Sequence, residues 1–160
     1  MTTPGSPFQM NMFTPNNLAG LCMNPALNVI QARINPNTSQ GNTFYPGTAV
    51  VFSPAVTGDL PVVDVCLSGS SGRGVVVYDP TQYSEGPGAM GISGIVLIAL
   101  LGSIVTMIAS TGINRQVKVA YNNVSGQIQS TTSGWIGETL DIAVNPGDIV
   151  RVIINPDLSH

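Results

Sequence analysis

The chain has 160 residues, and only 8% of them are charged, against about 25% in an ordinary soluble domain. The net charge is −3 and the five basic residues are dispersed, which excludes a groove that tracks phosphates, so we predict no nucleic-acid partner. A surface so poor in charge suits a protein that stays packed against its neighbours. A neutral extracellular β-domain would have the same composition.

The first 26 residues differ from the rest, because they are rich in proline and asparagine and show no hydrophobic period. We predict an extended N-terminal arm over 1–26, with a free terminus as the alternative. The segment has no basic region followed by an apolar stretch, so we predict no secretory signal and synthesis in a cytosol. An apolar stripe along the arm predicts contact with a neighbouring protein through Phe8, Met10, Met12 and Phe13.

From residue 27 onward, short apolar segments alternate with turns rich in glycine, proline and asparagine. This pattern is typical of a sandwich or barrel, so we predict an all-β fold, a compact β-barrel or sandwich-like domain over 27–160. The glycine-rich segment 83–94 is predicted to be a loop rather than a short helix. The predicted strands are 30–34, 48–53, 60–67, 74–79, 94–100, 103–110, 116–121, 127–130, 135–142 and 148–154.

One short pattern occurs twice, as YPGTAVVF (45–52) and NPGDIVRV (145–152). Each places Pro-Gly before a short polar residue and an alternating strand, and Pro-Gly is the signature of a type II turn. The two segments are predicted to be equivalent strand entries in one barrel. They arise either from duplication or from convergent turn chemistry.

Two other patterns have a functional and a structural interpretation. GSSGRG (69–74) is glycine-rich but lacks the Gly-Lys-Ser/Thr ending of a phosphate-binding loop, so we predict a flexible loop with one exposed arginine. Trp135 and the four tyrosines are scattered over different strands. They are therefore predicted to be core or interface residues rather than a sugar-binding platform.

The run from Gly91 to Ser110 has no charged residue and approaches the roughly 20 residues that a membrane-spanning helix needs. Seven residues of 95–109 are β-branched, which favours strands over a helix. Gly102-Ser103 predicts a tight reversal between two apolar strands that are buried on both faces. We predict no membrane span, and a place in the core of the barrel or of a subunit interface for Ile95, Leu97, Ile104 and Met107.

The sequence offers few groups for catalysis. Its one histidine, His160, is the last residue, so a catalytic dyad or triad would depend on a frayed terminus. Cys22 and Cys66 are predicted to be reduced and buried, and no spacing typical of a metal site occurs. We predict a protein that is not an enzyme and has no catalytic residue, metal, cofactor or small-molecule substrate.

The order of parts over about residues 45–155 resembles the head-decoration (cement) proteins of tailed bacteriophages. It runs from the first Pro-Gly entry through GVVVYD (74–79) and INRQVKVAYNNVSGQI (113–128) to IGETLD (136–141) before the final strand. The resemblance implies a barrel-like domain that binds the outer face of an icosahedral head, after synthesis in the host cytoplasm. It also implies a homotrimer that clamps adjacent subunits of the major capsid protein. Our own hypothesis is that 94–109 lies in the core of that trimer or of the barrel.

Three alternatives belong to other classes. A tail or fibre module that binds host glycans would expose a cluster of aromatic side chains. A tail-tube subunit would assemble into hexameric rings. A small membrane protein would use 92–109 as its span.

Overall fold

The computed structural model describes residues 19–24, 28–35, 45–54, 58–78 and 94–158. Within these ranges the chain forms ten β-strands and no helix, which confirms the predicted all-β fold; no helix there is long and apolar enough to cross a membrane. The strands are Val29–Ile34 (β1), Ala49–Phe52 (β2), Val62–Val65 (β3), Gly74–Val77 (β4), Ile95–Ala99 (β5), Ile104–Ile108 (β6), Lys118–Asn122 (β7), Gln127–Ser130 (β8), Gly137–Thr139 (β9) and Ile149–Ile154 (β10).

The first five strands close into a barrel in the order β1-β3-β2-β4-β5, with β5 returning to β1. The β1–β3 pair is parallel and the other four pairs are antiparallel. Closure leaves this sheet without a free edge, which removes a route to aggregation. The barrel confirms the coarse architecture that the turn pattern predicted.

The last five strands form a second sheet in the order β6-β10-β9-β7-β8. This sheet curls until its two edge strands approach each other, at a bridge between Ala109 and Ile128. The Ser110 N–H donates to the Ile128 carbonyl at 2.9 Å beside that bridge. One continuous cluster of buried apolar side chains joins both sheets, so the described strands share a core.

The uncharged run contains the two strands β5 and β6, but they do not pair with each other. The predicted reversal is present, because the Ser103 N–H donates to the Leu100 carbonyl at 2.9 Å. β5, before this turn, lies in the barrel, and β6, after it, lies in the second sheet. The chain therefore crosses from one sheet to the other at this turn. The amide side chains of Asn24 and Asn28 fix the turn by donating to carbonyls at positions 102 and 101.

Residues 19–24, at the end of the predicted arm, lie extended along β6. Gly20 and Met23 donate backbone N–H groups to Thr106 and Ile104 at 2.7 and 2.8 Å. The Leu21 N–H donates to the Thr106 hydroxyl at 2.9 Å, and the Tyr78 N–H donates to the Gly20 carbonyl at 2.9 Å. This segment therefore touches both sheets.

Both Pro-Gly segments form the predicted type II turn. The N–H of Thr48 donates to the Tyr45 carbonyl at 3.0 Å, and that of Asp148 to Asn145 at 3.2 Å. The intervening glycines have φ of 94° and 91°, as this turn requires. The two turns do not enter one barrel, however, because β2 lies in the barrel and β10 in the second sheet.

Two predicted strands are shorter or shifted. The strand predicted at 116–121 begins instead at Lys118, because Gln116 has a φ of 59°, in the left-handed region that interrupts a strand. The strand predicted at 135–142 is reduced to β9. The chain leaves it when Asp141 turns to bind Arg151.

Candidate interaction surface

The residues predicted for the arm contact and for the core lie in different parts of the chain and differ in burial. Phe8, Met10, Met12 and Phe13 lie outside the described residues, as do 83–93. Met107 is 1% exposed in the shared core. Ile95 and Leu97 alternate along β5 with buried residues and are half-buried on its other face, as Ile104 is at the start of β6. Both faces of β6 beyond Ile104 are buried, whereas β5 keeps one partly open face.

Carboxylates near the turns act as acceptors for the backbone. Asp148 accepts the N–H groups of Val144 and Asn145, both at 2.9 Å, and these bonds lower the pKa of its carboxyl group. Asp157 is 5% exposed and accepts the Gly134 N–H at 3.1 Å. Within the described residues, no group of three or more histidine, cysteine or acidic side chains is placed to hold a metal ion. These carboxylates stabilise loops.

One exposed ion pair joins β10 to the loop after β9. Arg151 donates to Asp141 through Nε at 2.9 Å and Nη2 at 2.7 Å, and its backbone N–H donates to the same carboxylate at 2.9 Å. The hydrogen bonds and the positive charge of the Arg151 guanidinium lower the pKa of Asp141 to about 2. The side chain of Arg151 is 50% exposed and that of Asp141 is 33% exposed, so solvent screens much of the attraction between the two charges.

Replacing Asp141 with asparagine should lower the free energy of unfolding at pH 7 by about 0.5 kcal/mol. The pKa is depressed in the folded state, so the carboxylate contributes its full stability above the unfolded pKa of about 4. That contribution is lost as the pH falls towards about 2. Urea unfolding of the wild type and Asp141→Asn should therefore differ at pH 7 and converge near pH 2. Asp64→Asn is the control, and a difference that persists at pH 2 would contradict this account.

The single lysine and the single tryptophan lie together on the second sheet. Lys118 Nζ is 3.8 Å from the centroid of the Trp135 ring, a cation–π contact, and Lys118 faces Glu138 across the β7–β9 pair. Tyr121 is 4% exposed and forms a hydrogen bond with Thr48. Neither ring is therefore open as a flat platform for a sugar.

The two cysteines are free and differ in burial. Cys66 is fully buried, and burial raises the pKa of its thiol to about 11. Cys22 is half-buried in the segment along β6. Both described thiols are thus reduced, and burial keeps that of Cys66 protonated at neutral pH.

The glycine-rich segment 69–74 is held in place by hydrogen bonds. The Ser70 N–H donates to the Leu67 carbonyl at 3.0 Å, and the Arg73 N–H to the Val50 carbonyl at 2.7 Å. Just before it, the Ser68 hydroxyl and N–H donate to the Asn123 side chain at 2.8 and 2.9 Å. The loop is therefore tied to the β7–β8 turn of the second sheet, and Arg73 is partly rather than fully exposed.

An exposed aromatic side chain, Phe52, separates two shallow pockets at the end of β2. The first has a volume of about 390 Å³ and is lined by Val51, Phe52, Gly69, Ser70, Ser71 and Arg73. The second has a volume of about 330 Å³ and is lined by Phe52, Ser53, Pro54, Asp59, Leu60, Pro61 and Val62. Phe52 is 42% exposed and is the one residue that the two pockets share. We call Phe52, Arg73 and Asp59 the Phe52 patch.

Sequence reasoning did not identify the Phe52 patch. Within TAVVFS the alternation places Phe52 on the same face as Val50, which is fully buried. The strand ends at Phe52, so its ring lies at the barrel end rather than inside it. The sequence feature that could have identified the patch is a large apolar residue, Phe52, next to a cluster of turn-forming residues.

Comparison with solved structures bears on the fold. No protein-family model matches the sequence, and no curated protein matches it. Among solved structures, the fold is similar to that of the N base of head fiber gp8.5 in bacteriophage phi29, with a TM-score of 0.52 and 15% identity. The similarity covers 79% of this chain and 92% of that chain. The two chains share a fold, and at this identity the likeness extends no further.

Proposed function

We propose that this chain is a structural protein of a bacteriophage head. It would bind the outer surface of the icosahedral shell as a trimer and clamp adjacent subunits of the major capsid protein. The observation that carries the proposal is the shared fold with a head fiber base over 92% of that chain. The resemblance in the order of turns and strands to head-decoration proteins points the same way, although it was drawn from the sequence alone.

The composition supports a role in burying surface rather than in chemistry. With 8% charged residues, the chain can lose water from a large area at a small cost in desolvated charge. Two of the described acidic groups in loops, Asp148 and Asp157, accept hydrogen bonds from the backbone. We therefore propose that the protein is not an enzyme and works without cofactor, nucleic acid or membrane.

The proposed mechanism is thermodynamic linkage. A protein that binds only the expanded shell stabilises it by the free energy of binding. A trimer engages several capsid subunits at once, so modest affinity at each contact becomes strong attachment. The arm residues Phe8, Met10, Met12 and Phe13 are proposed to reach a capsid subunit or a neighbouring trimer.

A second candidate is the base of a fibre on the head, because the matched structure is named as such a base. Both candidates place the chain on the head. Cryo-electron microscopy of virions separates them, since a decoration protein gives a compact knob and a fibre base gives a long projection above it.

The test uses virions of the phage that encodes the chain. After heads and tails are separated, we expect the protein in the head fraction, accessible to antibody on intact particles. Recovery in tails alone, or absence from virions, would refute the proposal.

Purified protein should also rebind heads from which it has been stripped. A deletion of residues 1–18 should weaken that rebinding by about tenfold or more, since one buried apolar side chain is worth that much. The deletion stops at residue 18 because Gly20 and Leu21 bond to β6. Equal rebinding by the full chain and the truncated chain would refute the role of the arm.

A further inference from the structure

The Phe52 patch carries two charges that have no partner among the described residues. The side chains of Arg73 and Asp59 form no hydrogen bond or ion pair with any described residue, unlike Arg151 and Lys118. Asp59 is exposed and Arg73 is partly exposed. Arg73 lines the same pocket as the exposed ring of Phe52.

The two charges lie on opposite sides of Phe52. In the barrel, β2 has β4 on one side and β3 on the other. Arg73 directly precedes β4, and Asp59 lies in the turn that leads to β3. The pocket on the β4 side is thus basic and the pocket on the β3 side is acidic, with the ring between them.

The wall of the basic pocket includes a buried serine, Ser71. Ser71 is 5% exposed, and its buried hydroxyl oxygen has no hydrogen-bond partner among the residues that the structure describes. A buried hydroxyl without a partner is costly and uncommon in native proteins. A carboxylate that entered this pocket would give the Arg73 guanidinium an acceptor.

We propose that the Phe52 patch is the contact between copies of this chain, with Asp59 of one copy entering the Arg73 pocket of the next. Copies of a chain whose surface has a positive side, an apolar centre and a negative side can be arranged around a rotation axis. In that arrangement the positive side of each copy meets the negative side of its neighbour. Phe52 of every copy then lies towards the axis and is covered by its equivalents. The inference rests on the trimer in the proposed function and names its contact.

Charge reversal and exchange test the contact on the full-length chain. Light scattering of the wild type should give three times 16.6 kDa. Arg73→Asp and Asp59→Arg should each raise the dissociation constant of the trimer by about 100-fold or more, because each brings like charges together. The double variant restores opposite charges and should again form a trimer, which also shows that the single variants fail through charge rather than misfolding.

Arg115→Asp is the matched control, because Arg115 is exposed and lies outside the patch. It should remain a trimer. A wild-type trimer that both single reversals leave intact, or a double variant that stays dissociated, would overturn the inference while the proposed head protein stands. A wild-type monomer that still binds stripped heads would overturn both this contact and the trimer, but not attachment to the head.

Discussion

Replacing Gly137 with alanine is expected to destabilise the protein by about 3 kcal/mol or more. Gly137 lies in β9, between Val119 of β7 and Ile154 of β10. A Cβ atom there would overlap the backbone carbonyl oxygen of Ile153. Backbone, unlike the end of a flexible side chain, cannot rotate away. The central strands of the second sheet would have to separate or shift to accept the methyl group.

Gly112→Ala is the control for this substitution. The nearest atom to its added Cβ would be the Val144 carbonyl oxygen at 3.5 Å, an ordinary contact. We expect its stability to stay within about 0.5 kcal/mol of the wild type. Urea unfolding of the three proteins at one pH measures the difference. Equal midpoints for Gly137→Ala and the wild type would show that the sheet is looser here than the packing indicates.

The second large effect is expected at Ile98, whose replacement by alanine should cost about 2–5 kcal/mol. Its side chain is fully buried, and it faces Ile30 and Val76 across the two strand pairs that β5 forms in the barrel. Removal of three carbon atoms leaves a cavity that a closed barrel cannot easily collapse to fill. The loss should appear as a lower midpoint of unfolding with an unchanged slope.

Ile95→Ala is the matched comparison, because it makes the same change three residues earlier on the same strand. Ile95 is half-buried, so we expect a cost of about 1 kcal/mol. If Ile95 belongs to a subunit interface, its variant should also associate more weakly, whereas Ile98→Ala should not until it unfolds. Equal losses of stability at both positions would contradict the alternation of faces along β5.

The expected size of these effects follows from how the two sheets share one core. Ile98 belongs to the barrel and Met107 to the second sheet, yet both lie in the same cluster of buried side chains. The described links between the sheets include the Tyr121–Thr48 and Ser68–Asn123 hydrogen bonds. A cavity on one side of this core is therefore expected to weaken both sheets together.

The predicted contact between copies explains features that the folded chain alone leaves unused. Leu67 and Leu101 are also exposed at chain turns, but neither lies beside an unpaired charge in a pocket. The Phe52 patch combines an exposed ring with opposite charges on its two sides. Its variants change charge on the surface, so they should alter association more than stability.

The local structure of this chain could be predicted from its amino-acid sequence. Alternating apolar residues predicted where strands occur, and Pro-Gly before Thr48 and before Asp148 predicted two type II turns, because these preferences act between neighbouring residues. The β-branched run at 95–109 likewise predicted strands in place of a spanning helix. All these signals are local and do not depend on what the strand will pair with.

The pairing of the strands could not be predicted from the sequence pattern, because it depends on long-range contacts. Strands with the same alternation are locally interchangeable, so nothing in the run at 91–110 shows that β5 joins a barrel and β6 a second sheet. The parallel β1–β3 pair and the docking of residues 19–24 on β6 depend in the same way on long-range burial. The Phe52 patch depends on it too, because Arg73 and Asp59 meet Phe52 only when β4 and β3 flank β2.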